Sequence, residues 1–156
     1  MKKIPVFITL VLVLFFGAAS AQMHDPVKWA FEYKKTSATE GELLIKATIE
    51  DEWHLYSQDN PPSKDGLGGA TPLLFTFNPN SNYELVGKVE EPVYKKQYSD
   101  IWESDEHFHT GTVVFKQKIK FNAQSKFVIS GNVDGQACKE ACVKTGNDFT
   151  IQINPE

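Results

Sequence analysis

The sequence predicts an all-β domain, an immunoglobulin-like β-sandwich of about nine strands. Three observations point there. From Lys28 onward apolar residues recur with period two, the signature of strands with one face buried. Clusters of Gly, Pro, Asn and Asp punctuate those runs, as turns between short strands require. No segment after the first twenty or so residues carries a convincing helical period, and no internal repeat is visible. Two antiparallel sheets packed face to face satisfy all three.

Taken in order, Trp29, Phe31 and Tyr33 alternate with Lys28, Ala30, Glu32 and Lys34, and Leu43, Ile45, Ala47 and Ile49 alternate with Lys46, Thr48 and Glu50. Thr39-Glu40-Gly41-Glu42 reads as the turn of a hairpin between them. The segment 51–57 reads as a short strand with Trp53 and Leu55 on one face and His54 and Tyr56 on the other. Asn60-Pro61-Pro62 through Gly69 is a breaker-rich loop without a packing pattern. Strands resume at 73–77, 83–89 and 93–98. The segment 99–106, which mixes Ile101 and Trp102 with acids, reads as an irregular functional loop. Further strands are expected at 112–121, 126–133 and 148–153. The core is expected to draw on Trp29, Phe31, Leu43 or Leu44, Ile45, Trp53, Leu55, Phe75, Val113 or Val114, and Phe115.

Residues 1–21 are a separate matter. Lys2 and Lys3 precede an apolar run from Ile4 to Phe16, and Ala19-Ser20-Ala21 fits a cleavage site. This is the pattern of a secretory signal peptide, so the mature protein is expected to begin at Gln22 and to form one domain over 22–156. The apolar run falls short of the roughly 20 residues that a membrane-spanning helix needs. No later run replaces it, and no cysteine near the cleavage site invites a lipid anchor. A periplasmic or otherwise exported protein is the expectation.

Composition excludes several classes of function. The chain has a net charge of −4 and no arginine, and loss of the signal segment makes the charge more negative. Nucleic acid, which demands a basic stripe, is a poor partner for it. No serine stands in a nucleophile elbow, and no glycine-rich phosphate loop precedes a helix, so no cofactor is expected. His107 and His109 share one side of a strand but lack further ligands at a telling spacing. The acids from Glu103 to Glu106 lack the layout of a calcium loop. No metal is expected.

Only two cysteines occur, Cys138 and Cys142. Joined, they would close a ring of five residues, which restricts the unfolded chain by only about 2 kcal/mol. Two readings follow: a dithiol kept for its redox chemistry, or a small clip that tidies a loop. In an exported protein either disulfide can persist. An extended strand would hold the two Cα atoms about 13 Å apart, so the chain must turn or coil between them. A three-residue hairpin loop favours a left-handed residue such as glycine, which Ala141 fits poorly, and one helical turn over 136–144 is the other geometry. Lys139 or Lys144 could lower a thiol pKa electrostatically.

Several pieces together resemble one family. Trp29, the segment Asp51-Glu52-Trp53-His54-Leu55-Tyr56, the run Tyr83 to Val89 with Glu91-Pro92 after it, and the late cysteine pair are similar in order and kind to the N-terminal periplasmic domain of the thiol:disulfide interchange protein DsbD, also described as a disulfide bond corrector domain. The cysteines here are closer together than is usual in that family, and Val143 and Lys144 stand where a proline is expected. The resemblance implies an immunoglobulin-like module whose cysteines relay electrons by thiol–disulfide exchange. It gives Cys138 and Cys142 the redox roles and makes His54 and Tyr56 the wall beside them. It also makes Asp100, Ile101 and Trp102 a cap loop over the pair.

Implied partners are a thioredoxin-like or membrane electron-donor protein on one side and exported disulfide-containing proteins on the other. Neither a transmembrane electron-transfer domain nor a thioredoxin-like domain is recognisable in the sequence, so those partners are expected to be separate. Protein-disulfide reductase activity would then depend on them. The rival reading is a non-catalytic immunoglobulin-like binding module with a local structural disulfide.

Overall fold

The computed structural model describes residues 24–122 and 124–155; the signal segment 1–21 and the expected first mature residue, Gln22, lie outside them. Among the described residues ten strands are present: β1 (Val27–Lys35), β2 (Glu40–Ile49), β3 (His54–Tyr56), β4 (Leu74–Phe77), β5 (Tyr83–Glu90), β6 (Lys95–Ser99), β7 (Ser104–His109), β8 (Thr112–Phe121), β9 (Phe127–Cys138) and β10 (Cys142–Ile153). They form two antiparallel sheets. One has the order β1-β2-β8-β5. The other runs β10-β9-β3-β7-β6, with β4 also paired to β9. Strands β3 and β4 share one edge of β9 end to end, β3 at Ala137 and Cys138 and β4 at 131–134.

The alternation read from the sequence becomes the core. Leu43, Ile45, Ala47, Val113, Phe115 and Ile119 of the first sheet are buried, as are Leu55, Ile129, Val133, Ala137, Ile151 and Ile153 of the second. Leu43 rather than Leu44, and Val113 rather than Val114, face inward. Trp29, Phe31, Trp53 and Phe75 pack against this core while only partly buried. Gln117 interrupts the apolar pattern of β8 yet is 1% exposed. Its amide donates to the carbonyls of Val86 and Lys118, which meets the hydrogen-bonding demand of burial.

Four details differ from the reading of the sequence. The extra strand is β7, which lies within and just beyond the stretch read as an irregular acidic loop; only 100–103 of that loop remains outside strands. The first hairpin turns over 36–39, where Thr36 and Ser37 donate to the carbonyl of Glu40. Gly41 lies inside β2 instead, because the ring of Tyr33 lies across its face where a Cβ would stand. Segment 51–57 is not one strand. Glu52 adopts a φ of 68° in a tight turn, Trp53 donates back to the carbonyl of Glu50, and the strand starts at His54. Finally, β9 and β10 are longer than expected and run to the cysteines, with twelve paired positions from Cys142↔Cys138 to Ile153↔Phe127.

Candidate functional site

The two cysteines end the β9–β10 hairpin. Cys138 is the last residue of β9, Cys142 the first of β10, and they are directly paired across the ladder. They are joined by a disulfide, with Cα atoms 4.1 Å apart, close to the narrow spacing of an antiparallel pair. Loop 139–141 closes with the Lys139 N–H donating to the Ala141 carbonyl. No residue of that loop has a positive φ, so Ala141 meets no conformational penalty. The geometry is a hairpin and not a helical turn.

Register decides what surrounds the pair. β3 lies beside β9 with His54 opposite Cys138 and Leu55 opposite Ala137. Leu55 and Ala137 face the core. Side chains alternate along strands, so His54, Tyr56 and Cys138 share the outer face of the six-stranded sheet. Phe108 of β7, opposite Tyr56, joins that face. Tyr56, Phe108, Cys138 and Ala70 form a small buried cluster. Ala70 comes from the long loop between β3 and β4, whose path is pinned by two contacts. The Thr71 N–H donates to Gln136 Oε1 and the Asn60 amide to the Ala70 carbonyl.

The disulfide is therefore covered unequally. Cys138 is 3% exposed, whereas Cys142 stands open to solvent. Beside it runs a polar chain: His54 Nε2 lies 3.2 Å from Tyr56 Oη, and Tyr56 Oη donates to Glu106 Oε1 at 2.9 Å. The His54 ring is also packed edge-on to Tyr56 and tilted over Phe108. Burial holds the His54 imidazole below its usual pKa, with the charge of Glu106 acting in the opposite direction. Burial pushes the Tyr56 phenol well above its usual value, helped by the hydrogen bond to Glu106 and by its charge. Tyr56 thus stays a phenol.

The expected cap residues lie in loop 100–103, beside loop 63–68. Asp100 is exposed and Ile101 is 83% exposed. Trp102 is half-buried, and its ring lies against Gly68. Its carbonyl accepts from the Lys64 N–H, and Lys64 Nζ pairs with Glu103. Loop 100–103 thus braces loop 63–68, while the loop residue that joins the buried cluster with Cys138 is Ala70.

The two lysines near the cysteines are already engaged. Lys139 pairs with Glu52 at 2.6 Å and Lys144 with Asp134 at 3.0 Å, which weakens the case for either as a helper of a thiolate. His107 and His109 share one side as expected, both against Tyr94. His109, however, is committed to a buried pair with Glu91. Among the described residues no group of three or more His, Cys, Asp or Glu is placed to hold a metal ion, and no helix is long and apolar enough to cross a membrane.

Reading the sequence alone missed Glu106, Phe108 and Ala70. Their signal was the alternation Asp105, His107, His109 against Glu106 and Phe108, which the acidic composition obscured.

Fold and site together define an immunoglobulin-like domain that carries a hairpin disulfide, one sulfur sheltered and one open. The family model for the thiol:disulfide interchange protein DsbD, N-terminal, matches residues 21–153, and the chain belongs to that family. Among solved structures it is similar to the N-terminal periplasmic domain of ScsB from Proteus mirabilis. The TM-score is 0.57 at 14% identity, over 87% of this chain and 49% of that one. The chain thus spans about half the length of that structure, and the likeness is one of fold. A search of curated proteins gives no match.

Proposed function

We propose that the domain is an exported thiol–disulfide exchange module, relaying electrons from a thioredoxin-like or membrane electron donor to exported disulfide-containing proteins through Cys138 and Cys142. Export, with cleavage before Gln22, is supported by the leader pattern of residues 1–21 and by the periplasmic character of the ScsB domain. The observation that carries the reading is the unequal cover of the disulfide, with Cys138 buried and Cys142 exposed. Exchange proceeds by in-line attack of a thiolate on one sulfur, and access selects which. A donor thiolate reaches Cys142 Sγ; the new S–S bond forms there, and Cys138 Sγ leaves with the electron pair. A second donor thiolate then attacks the donor sulfur of the mixed disulfide, which frees Cys142 and leaves the donor oxidised. In the reverse sense the reduced module attacks a substrate disulfide with Cys142. Cys138 then displaces the substrate thiolate and restores the intramolecular bond.

The shelter over Cys138 suits such a relay, since it confines reaction to partners that can seat a sulfur on Cys142. Ala70 forms the inner layer. Trp102, with Asp100 and Ile101 on its loop, forms an outer brace that a partner can displace. His54 and Tyr56 form the wall.

The test is capture. Cys138→Ser leaves Cys142 free to attack but unable to resolve, and this variant should accumulate mixed disulfides with exported proteins; Cys142→Ser should not. Absence of mixed disulfides with either variant, together with a reduction potential far below about −300 mV, would favour the rival clip in a binding module.

A further inference from the structure

We infer that His54 is the proton acceptor for the Cys138 thiol during closure of the disulfide, with Tyr56 and Glu106 as positioning residues that set its tautomer. The inference rests on the exchange reading above and assigns a specific chemical step to residues beside the pair.

Resolution is the demanding step. After Cys142 has formed a mixed disulfide, Cys138 must attack Cys142 Sγ as a thiolate. Yet its side chain is buried in the cluster with Ala70, Tyr56 and Phe108, where burial disfavours the charged form. Water has poor access to take the proton. A base held against the sulfur removes that difficulty.

The hydrogen-bond chain identifies the base. An ionised carboxylate can only accept, so the Tyr56 proton goes to Glu106 Oε1. Tyr56 Oη then has only lone pairs to offer His54 Nε2, 3.2 Å away. Nε2 therefore carries the ring hydrogen, and Nδ1 of the neutral ring is left as a lone-pair acceptor. His54 and Cys138 are directly opposed on one face of adjacent antiparallel strands. Such pairs have Cβ atoms about 4.5–5.5 Å apart, close enough for side chains to touch. Nδ1 is bonded to Cγ, next to Cβ, and so lies within reach of a sulfur on the neighbouring Cβ, directly or through one water. The arrangement is nucleophile, base and orienting acid in sequence.

The step balances. The Cys138 S–H proton passes to His54 Nδ1, and Cys138 Sγ bonds Cys142 Sγ. The bond between Cys142 and the substrate sulfur breaks, and its electron pair leaves on the substrate as thiolate. The imidazolium so formed is stabilised through Tyr56 by the Glu106 charge. In the opposite direction the protonated ring returns its proton to the departing Cys138 thiolate. Burial, which keeps the imidazole neutral near pH 7, leaves it ready to accept. The titratable groups around it are Glu106 on β7, the neutral phenol of Tyr56 on its own strand, and the exposed Lys139–Glu52 pair; the last is internally compensated.

The experiment follows the reduced full chain reacting with a chromogenic aromatic disulfide. One chromophore is released when Cys142 attacks and a second when Cys138 closes the ring. In the wild type the closing phase should follow ionisation of an imidazole. In His54→Gln it should slow by on the order of a hundredfold near neutrality, and its pH dependence should move up toward that of an ordinary thiol. The first phase should change less than twofold. Glu106→Gln and Tyr56→Phe, milder changes that guard against misfolding of the first variant, should shift the closing profile in the same direction by a smaller amount. A closing phase in His54→Gln with wild-type rate and pH profile overturns the inference while leaving the exchange reading intact. Failure of the wild type to release the second chromophore overturns both. Equal slowing of both phases, with a lowered melting temperature, assigns these residues to structure and also overturns it.

Discussion

Glu91→Ala should cost the domain about 4 kcal/mol although Glu91 touches neither cysteine. Its side chain is 9% exposed and pairs at 2.7 Å with Nε2 of His109, itself 4% exposed. The same carboxylate accepts the Gln58 N–H at 3.1 and 3.2 Å. Truncation therefore strands two donors. Each buried donor left without a partner costs about 1–3 kcal/mol, and the two together come to about 4 kcal/mol. For a domain of this size that is a fall in melting temperature of roughly 10 to 20 °C. Gln58 also begins the loop that carries Ala70 into the cluster with Cys138, so loss of its anchor should speed alkylation of Cys138 in the reduced protein. Glu91→Gln keeps an acceptor oxygen in place and should cost no more than about 2 kcal/mol. Urea denaturation of the three proteins checks the energies, and timed alkylation checks the loop. A loss below about 1 kcal/mol for Glu91→Ala would mean that water replaces the carboxylate at little cost, and the argument from burial would fail.

Two further outcomes follow from the same geometry. Reduction of the disulfide should lower stability by no more than about 2 kcal/mol, the value for so small a ring, because β9 and β10 remain paired over twelve positions without it; a drop above about 4 kcal/mol in urea denaturation would make the bond a structural one. Stability should also fall on raising the pH above about 10, the ordinary tyrosine value. Burial raises Tyr33, Tyr56 and Tyr83 in the folded state. The unfolded chain then gives up these protons first, so stability is full below the unfolded value and declines as pH rises toward the folded ones. Tyr56→Phe should flatten this decline in denaturation midpoints measured across that range, and an unchanged slope would count against the burial assigned to Tyr56.

The period-two pattern was legible because burial of one sheet face is a local constraint: the inward residues of β1, β2 and β8 are drawn from the apolar set whatever they pack against, Gln117 of β8 excepted. That is why Ile45 and Phe115 could be named beforehand, and Leu43 and Val113 each as one of two neighbours. The same alternation separated Leu55 from His54 and Tyr56. It was less informative at β7, where acids occupy both faces and the two histidines one of them, because one face meets the polar chain at Tyr56 and the other the Glu91–His109 pair. It also misplaced the first turn, since glycine marks turns and close approaches alike, and Gly41 serves the second purpose under Tyr33.

The sequence by itself determined the all-β sandwich, the family and the importance of the cysteine pair, because these depend on residue types and their order along the chain. The tertiary structure decided everything that depends on which strands lie side by side. Register placed His54 opposite Cys138 from 84 positions away in the chain. Pairing of β3 with β7 brought Glu106 to Tyr56, and the path of a patternless loop put Ala70, rather than Ile101, into the cluster with Cys138. The exposure of Cys142 follows from these placements. Such contacts are set by packing between distant segments, and no local periodicity encodes them.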